Sequence, residues 1–350
     1  MQIKNLIREN IRNLKPYTSA RSLFSGDNAI LLDANENGRD IFGQNLNRYP
    51  DPLQRDLKKY IADIKGVPAE NIFLGNGSDE AIDLLFRIFC EPGKDEIIIC
   101  PPTYGMYKVQ ANIHNTPIKK VLLDENFDLR PKEILKAVAS TTKLLFLCSP
   151  NNPTGNLMSN DRVEYLIKNF SGIVVVDEAY IDYADSESWN QRVNEYSNLV
   201  VLQTFSKAWA LAGARLGMAF ASKEIIHYLN SVKFPYNINL LTQKAVLNIL
   251  EQNGRPGVSF VKNLKEKKRL KSLLLQIGLV EKIYLSDANF LLVKMKNSDF
   301  IFNQLKNKKI IVRNRSKEPL CDGCLRVTIG TREENDLLIN ELKKMEGSLK

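Results

Sequence analysis

The chain has very little histidine: His114 and His227 are the only two among 350 residues. Two imidazoles so far apart offer no local metal-ligand spacing, so both are expected in surface or core packing. Cysteine is scarce and odd in number, at five. Cys90, Cys100 and Cys148 fall in apolar stretches and read as small buried hydrophobes of a reducing compartment. Cys321-Asp322-Gly323-Cys324 has the spacing of a zinc or redox half-site, but no second cysteine or histidine pair accompanies it. No metal is expected there, and the tetrad is taken as a turn before the last strand. Long apolar runs are also missing, and none approaches the ~20 residues of a membrane-spanning helix. The opening Met1-Gln2-Ile3-Lys4-Asn5 lacks the apolar core of a secretory leader. The chain is therefore expected in the cytoplasm, without a membrane partner. It shows no internal repeat, no low-complexity segment and no flexible interdomain linker.

Charge is present in excess of one sign. With 49 Lys and Arg against 40 Asp and Glu, the net charge is +9. The basic segments 262–271 and 306–309 raise the question of nucleic acid. The first lies on Val261-Lys262-Asn263-Leu264-Lys265-Glu266-Lys267-Lys268-Arg269-Leu270, where apolar and charged positions recur at helical spacing. No aromatics interleave the cations as base stacking requires, so a solvated helix face is expected and no nucleic-acid partner. A positive field still attracts small anions.

What the chain does have is a core and an alternating pattern. At 44% hydrophobic over 350 residues it can bury a sizeable interior, and its length suggests two or three domains. Residues 1–34 read as an arm with a short amphipathic helix (Ile3, Leu6, Ile7, Ile11, Leu14) ended by Pro16. Residues 35–253 alternate apolar strands with helical patterns, as a mostly parallel α/β sheet requires. Asn253-Gly254-Arg255-Pro256-Gly257 breaks the chain. Residues 254–350 read as a smaller α/β domain. It holds a long helix, the strand Phe290-Leu291-Leu292-Val293, a helix near 298–307, the strands Ile310-Ile311-Val312 and Leu325-Arg326-Val327-Thr328-Ile329, and a terminal helix.

The chemistry is concentrated where strands end. Leu199-Val200-Val201-Leu202 reads as a buried strand running into Thr204-Phe205-Ser206-Lys207, with Arg215 eight residues on. Burial disfavours the ammonium form, so the Lys207 amine becomes a usable nucleophile and base. The Thr204 and Ser206 hydroxyls and the Arg215 guanidinium are what a phosphate monoester needs. An activated amine beside an anion site suits a phosphorylated aldehyde held covalently, which is pyridoxal phosphate. Four further strand ends fit that cofactor. Ile173-Val174-Val175-Val176 ends in Asp177, a carboxylate able to keep a pyridine nitrogen protonated, and Tyr180 follows within reach of the ring hydroxyl. Leu144-Leu145-Phe146-Leu147-Cys148 opens into Ser149-Pro150-Asn151-Asn152-Pro153-Thr154-Gly155, where the Asn152 amide can donate to the same ring oxygen. Ile72-Phe73-Leu74 leads through Gly75-Asn76-Gly77 to Ser78 and Asp79, the start of an apolar-periodic helix whose N–H groups and dipole suit a phosphate. Glu96-Ile97-Ile98-Ile99-Cys100 precedes Pro101-Pro102-Thr103-Tyr104, and Tyr104 could stack on a flat heterocycle. Each item alone has a bland alternative as a turn, an N-cap or a buried tyrosine. Five complementary ones on the carboxyl edge of one sheet point to a ligand site.

On these residues the chain resembles the fold-type-I pyridoxal-phosphate aminotransferases, and within them the histidinol-phosphate aminotransferases. The resemblance also rests on Leu32-Asp33-Ala34-Asn35-Glu36-Asn37, Arg48-Tyr49-Pro50-Asp51-Pro52, residues 75–85, Asp177-Glu178-Ala179-Tyr180, residues 204–213, Ile311-Val312-Arg313 and residues 324–331. These occur in family order over nearly the whole chain. The resemblance implies amino transfer between L-histidinol phosphate and 2-oxoglutarate in histidine biosynthesis. It implies that Lys207 carries the cofactor and shuttles the proton, that Asp177 pairs with the ring nitrogen, and that Asn152, Tyr180 and Tyr104 hold the ring. Thr204, Ser206, Arg215 and the Ser78-Asp79 helix start would take the cofactor phosphate. Tyr49 would reach that phosphate from the other subunit of a homodimer. Arg326 and Arg313 would bind the substrate's anionic end, with Tyr17 and Asn35 nearby. Two departures stand out: Gly38 where proline is common, and Trp209 where phenylalanine is common. An aromatic amino-acid aminotransferase and a phosphothreonine-type decarboxylase share the scaffold. A transcription regulator with an aminotransferase-like sensor would need an added DNA-binding domain, for which about thirty residues before Asn35 are too few.

Overall fold

A computed structural model describes residues 2–17, 30–252 and 257–348. Part of the expected arm and residues 253–256 of the expected chain break lie outside the described residues. The principal sheet has seven strands, β1 Ile72–Asn76, β2 Glu96–Ile99, β3 Ile118–Lys120, β4 Thr142–Cys148, β5 Ile173–Asp177, β6 Leu199–Thr204 and β7 Leu216–Ala221. Their spatial order is β1-β7-β6-β5-β4-β2-β3. β7 runs antiparallel to both neighbours, β1 and β6, while the pairs from β6 to β3 are parallel. Two reversals cancel, so β1 points the same way as β6, and all five expected strands end on one edge.

The near-continuous apolar runs follow from burial on both faces. Leu145, Leu147, Val174, Val176 and Val201 point into one core cluster. Leu144, Phe146, Ile173, Val175 and Val200 point into the other. The period of two thus assigns alternate residues to two separate cores, each roofed by helices. The arm is less regular than its apolar pattern predicts. It forms a single-turn 3-10 helix, Ile3–Asn5, and one α-turn, Glu9–Arg12, with Ile3 and Ile7 buried in the second core.

A second sheet of four antiparallel strands has the order β10-β11-β9-β8, from β8 Val280–Ile283, β9 Phe290–Met295, β10 Arg313–Asn314 and β11 Cys324–Thr328. Here one expectation is corrected. Ile310-Ile311-Val312 is not a strand, and pairing begins only at Arg313. The Ile310 N–H is committed to the Leu305 carbonyl (2.9 Å), closing the helix Ser298–Asn307, and Lys309 takes a left-handed φ of 62°. These residues turn the chain off the helix and leave Ile311 73% exposed.

The cysteine tetrad forms the turn before β11, with Cys324 N–H on the Cys321 carbonyl (3.0 Å) and Gly323 at φ 69°. His114 sits 2.7 Å from Asp83 and stacks on Phe86. On the basic helix Gly257–Leu274 the cations are more than a solvated face. Lys267 donates to the carbonyls of Ser286 (2.9 Å) and Ala288 (3.0 Å), and Arg269 pairs with Glu266 and Asp336. No helix among the described residues is long and apolar enough to cross a membrane.

Candidate active site

The shared carboxyl edge of β1, β2, β4, β5 and β6 forms one cleft. Ten residues singled out from the sequence line it: Ser78, Asp79, Tyr104, Asn152, Asp177, Tyr180, Thr204, Ser206, Lys207 and Arg215. Lys207 follows β6 and opens along the cleft, its amine 5.7 Å from the centroid of the Tyr180 ring. The cleft walls lower its pKa, through burial first and then the field of Arg326, while Asp177 and Asp79 pull it back up. The free amine is thereby brought nearer to neutrality.

Asp177, at the end of β5, forms the floor and is 2% exposed. Burial pushes its carboxyl up to about 6. Two donors hold the carboxylate form against that cost: the Tyr107 hydroxyl on Oδ2 at 2.7 Å and the Ala179 N–H on Oδ1 at 3.1 Å. At neutral pH Asp177 is mainly charged and lines the cleft, and no cation among the described residues is bonded to it. Tyr107 escaped the sequence reading because a tyrosine in the apolar helix Met106–Ile113 looks like ordinary core. The one signal was its position three residues after Tyr104, which sets the two rings edge to face at 5.5 Å.

The anion end is built from backbone. The helix Ser78–Phe89 starts at Gly77, whose φ is 72° and whose N–H donates to the Arg215 carbonyl (2.8 Å). A Cβ on Gly77 would lie 2.8 Å from Arg215 Nη2, and one on Gly217 of β7 would lie 2.1 Å from Ser78 N. Both glycines therefore let β7 and the helix start close together, leaving helix N–H groups without intrahelical partners facing the cleft. Thr204 and Ser206 bring their hydroxyls to the same end, 3.0 Å apart. Asp79 accepts from the Tyr104 hydroxyl at 3.2 Å, so it contributes its backbone N–H rather than its carboxylate to an anion. N–H groups, two hydroxyls and the Arg215 guanidinium fit a phosphate monoester. Asp177 across the cleft fits a protonated ring nitrogen. The residues present therefore fit pyridoxal phosphate.

The substrate side joins the two sheets. Arg326 on β11 donates from Nη1 to Asn152 Oδ1 (2.5 Å), and Asn152 Nδ2 reaches Tyr180 Oη at 3.5 Å. Arg313 stands directly opposite Arg326 in the β10–β11 ladder. Burial lowers the Arg326 pKa, as do Arg315 and Arg313, although it remains a cation.

Three sequence candidates do not reach this cleft within their own chain. Tyr17 is 76% exposed. Asn35 and Tyr49 line a separate surface groove with Leu46, Tyr236 and Leu241. Tyr49 is 51% exposed and stacks on Tyr236 at 4.4 Å. Of the two departures, Gly38 lies beside Arg48. Trp209 packs edge-on against Phe205, and its indole N–H donates to Asp182 (3.0 Å), an ion-pair partner of Lys65 (2.9 Å). The larger ring thus ties the Lys207 loop to the segment after Tyr180.

Comparison with known proteins follows the same lines. The family model for aminotransferase class I and II matches residues 23–342. The histidinol-phosphate aminotransferase of Parabacteroides distasonis is 51% identical over 343 residues, covering 98% of this chain and 99% of that protein. That of Cytophaga hutchinsonii is 51% identical over 342 residues, covering 97% and 98%. Among solved structures, the histidinol-phosphate aminotransferase from Clostridium acetobutylicum matches with a TM-score of 0.79 at 27% identity, over 87% of this chain and 92% of that one.

Proposed function

The chain belongs to the aminotransferase class I and II family, and from that premise we propose that it moves the amino group of L-histidinol phosphate to 2-oxoglutarate, giving imidazole acetol phosphate and glutamate in histidine biosynthesis. Bound pyridoxal 5'-phosphate supplies a carbonyl carbon that takes up the amino group and a protonated ring that draws electron density from the substrate. The protein's residues do the rest. Thr204, Ser206, Arg215 and the N–H groups of Ser78 and Asp79 bind the cofactor phosphate. Asp177 keeps the proton on the ring nitrogen. Asn152 and Tyr180 orient the ring oxygen, and Tyr104 covers a ring face. Lys207 would carry the cofactor, and its Nζ, once free, would take and hold the proton of the substrate carbon as general base and acid.

The observation that carries the substrate assignment is the cross-strand pair Arg313–Arg326. Two guanidiniums side by side repel unless an anion joins them, and a dianionic phosphate answers both with forked hydrogen bonds. Arg326 also serves the carboxylate of the oxo acid. In this reading the protein is a cytoplasmic homodimer in which Tyr49 reaches the partner's cofactor phosphate, with Tyr17 and Asn35 at the substrate end. The test is direct: purified protein with cofactor, histidinol phosphate and 2-oxoglutarate should form glutamate, and omitting either substrate should abolish it. Carbon dioxide released from an amino-acid phosphate, with no glutamate formed, would replace this reading with a decarboxylase.

A further inference from the structure

The β10–β11 register extends beyond Arg313. Arg315 donates its N–H to the Cys324 carbonyl at 2.9 Å, one pleat on from the Arg313–Arg326 pair. Residues two apart share a face, so Arg313 and Arg315 lie on the same side of the small sheet as Arg326 and Cys324. That side faces the principal sheet, because Cys324 and Leu292 pack into its core cluster. The opposite side, carrying Leu325 and Val327, packs on the small domain's own helices. Arg315 is close enough to Arg326 and to the Tyr180 hydroxyl for its charge to act on both.

Three guanidiniums therefore share the face of the small sheet from which Arg326 reaches Asn152 in the cleft, and among the described residues the carboxylate ion-paired with them is that of Glu318. The Nε atoms of both Arg315 and Arg326 are buried, with no hydrogen-bond partner among the described residues. The carboxylate paired with Arg315, that of Glu318, stands 3.6 Å away, beyond hydrogen-bond distance. A buried donor left unmade is costly, and clustered cations repel. Both costs are relieved by an anion with enough oxygens to take several N–H groups at once.

We propose that Arg315 is a third ligand for the phosphate of the amino donor, acting beside Arg313 and Arg326 and making the site selective for dianionic phosphomonoesters over the parent amino alcohols, which lack that dianion. The inference rests on the functional reading above. Arg313 and Arg326 form the pair expected from sequence; Arg315 makes the pair a cradle, and its alternation with Arg313 was the signal left unused.

The experiment compares Arg315→Gln with the intact holoenzyme. Two constants are measured: KM for histidinol phosphate, and Ki for unphosphorylated L-histidinol as a competitor against it. Loss of one charge-assisted ligand should raise the KM roughly 10-fold or more while leaving Ki within about 2-fold, with kcat little changed. Arg315→Lys should recover part of the loss, since it restores charge but not the fork. If Arg315→Gln fails to fold, Arg315→Lys alone should still raise KM more than Ki. Lys317→Gln, an exposed neighbouring cation, should leave the ratio unmoved. Equal rises in KM and Ki would mean a structural role and overturn the proposal. So would no change in either, or the same shift in Lys317→Gln. An intact enzyme that does not use histidinol phosphate would instead sink the functional reading, before any variant is compared.

Discussion

The role proposed for Asp177 runs through its charge, and its surroundings work against that charge. Burial drives its carboxyl up to about 6, while the Tyr107 hydroxyl pulls the other way. Asp79 raises it further and Lys207 lowers it. An acid with a raised pKa loses its negative charge as pH falls through that value, so cofactor uptake by the free protein, which needs the carboxylate, should have an acid limb near pH 6. Asp177→Asn should fold and bind cofactor yet lose roughly 100-fold or more in turnover, because no neutral amide can hold the ring nitrogen's proton. Tyr107→Phe keeps the ring stacked on Phe146 but removes the donor. The acid limb should then move up toward neutrality, with KM for both substrates little changed. Cofactor uptake against pH checks Tyr107→Phe, and kcat checks Asp177→Asn; a folded, cofactor-loaded Asp177→Asn with near-normal kcat would rule out the role.

At the scale of elements, the strand ends were legible and the strand directions were not. Apolar runs such as residues 173–176 and 199–202 announce buried strands, and the polar residues that follow them mark a ligand edge. Nothing in Leu216-Gly217-Met218-Ala219-Phe220-Ala221 says that it runs antiparallel between β1 and β6. Periodicity reports burial and is blind to direction. The same holds for the short edge strands β3 and β8, whose part-exposed residues carry weak patterns. The apolar triplet Ile310-Ile311-Val312 misled for the opposite reason: it has strand composition, but the Ile310 N–H is claimed by a helix end and pairing begins only at Arg313. Tyr107 was hidden because its partner Asp177 lies 70 positions away. Contacts of that range, like Arg326 on Asn152, come from packing the elements together and leave no mark in local spacing.

At the scale of the whole molecule, the described residues leave an apolar surface uncovered. Tyr49 and Leu241 line the groove with Asn35, and Phe234 is exposed close by in sequence to Tyr236. The segment is stiffened from beneath by Lys233, whose amine donates to the carbonyls of Pro52 (2.9 Å), Phe234 (3.2 Å) and Pro235 (3.0 Å). A braced, exposed aromatic surface suits an interface between copies. If Tyr49 completes the partner's site, mixing Lys207→Ala chains with Tyr49→Phe chains should yield heterodimers. One site in each then combines an intact Lys207 with an intact Tyr49, and normal cofactor affinity should return there. A monomer fully active at high dilution would remove the shared site.

The account as a whole stands on one amine. Lys207 follows β6 into the cleft that holds the phosphate cradle and the Asp177 floor, and the proposed reading bonds the cofactor to it. Borohydride reduction of the cofactor-loaded protein, followed by peptide mapping, makes that bond permanent and locates it. The account predicts a yellow protein whose colour bleaches on reduction, with the label on Lys207 alone and none in Lys207→Ala. A label on any other lysine, or an intact protein that binds the cofactor without a reducible bond, would contradict it.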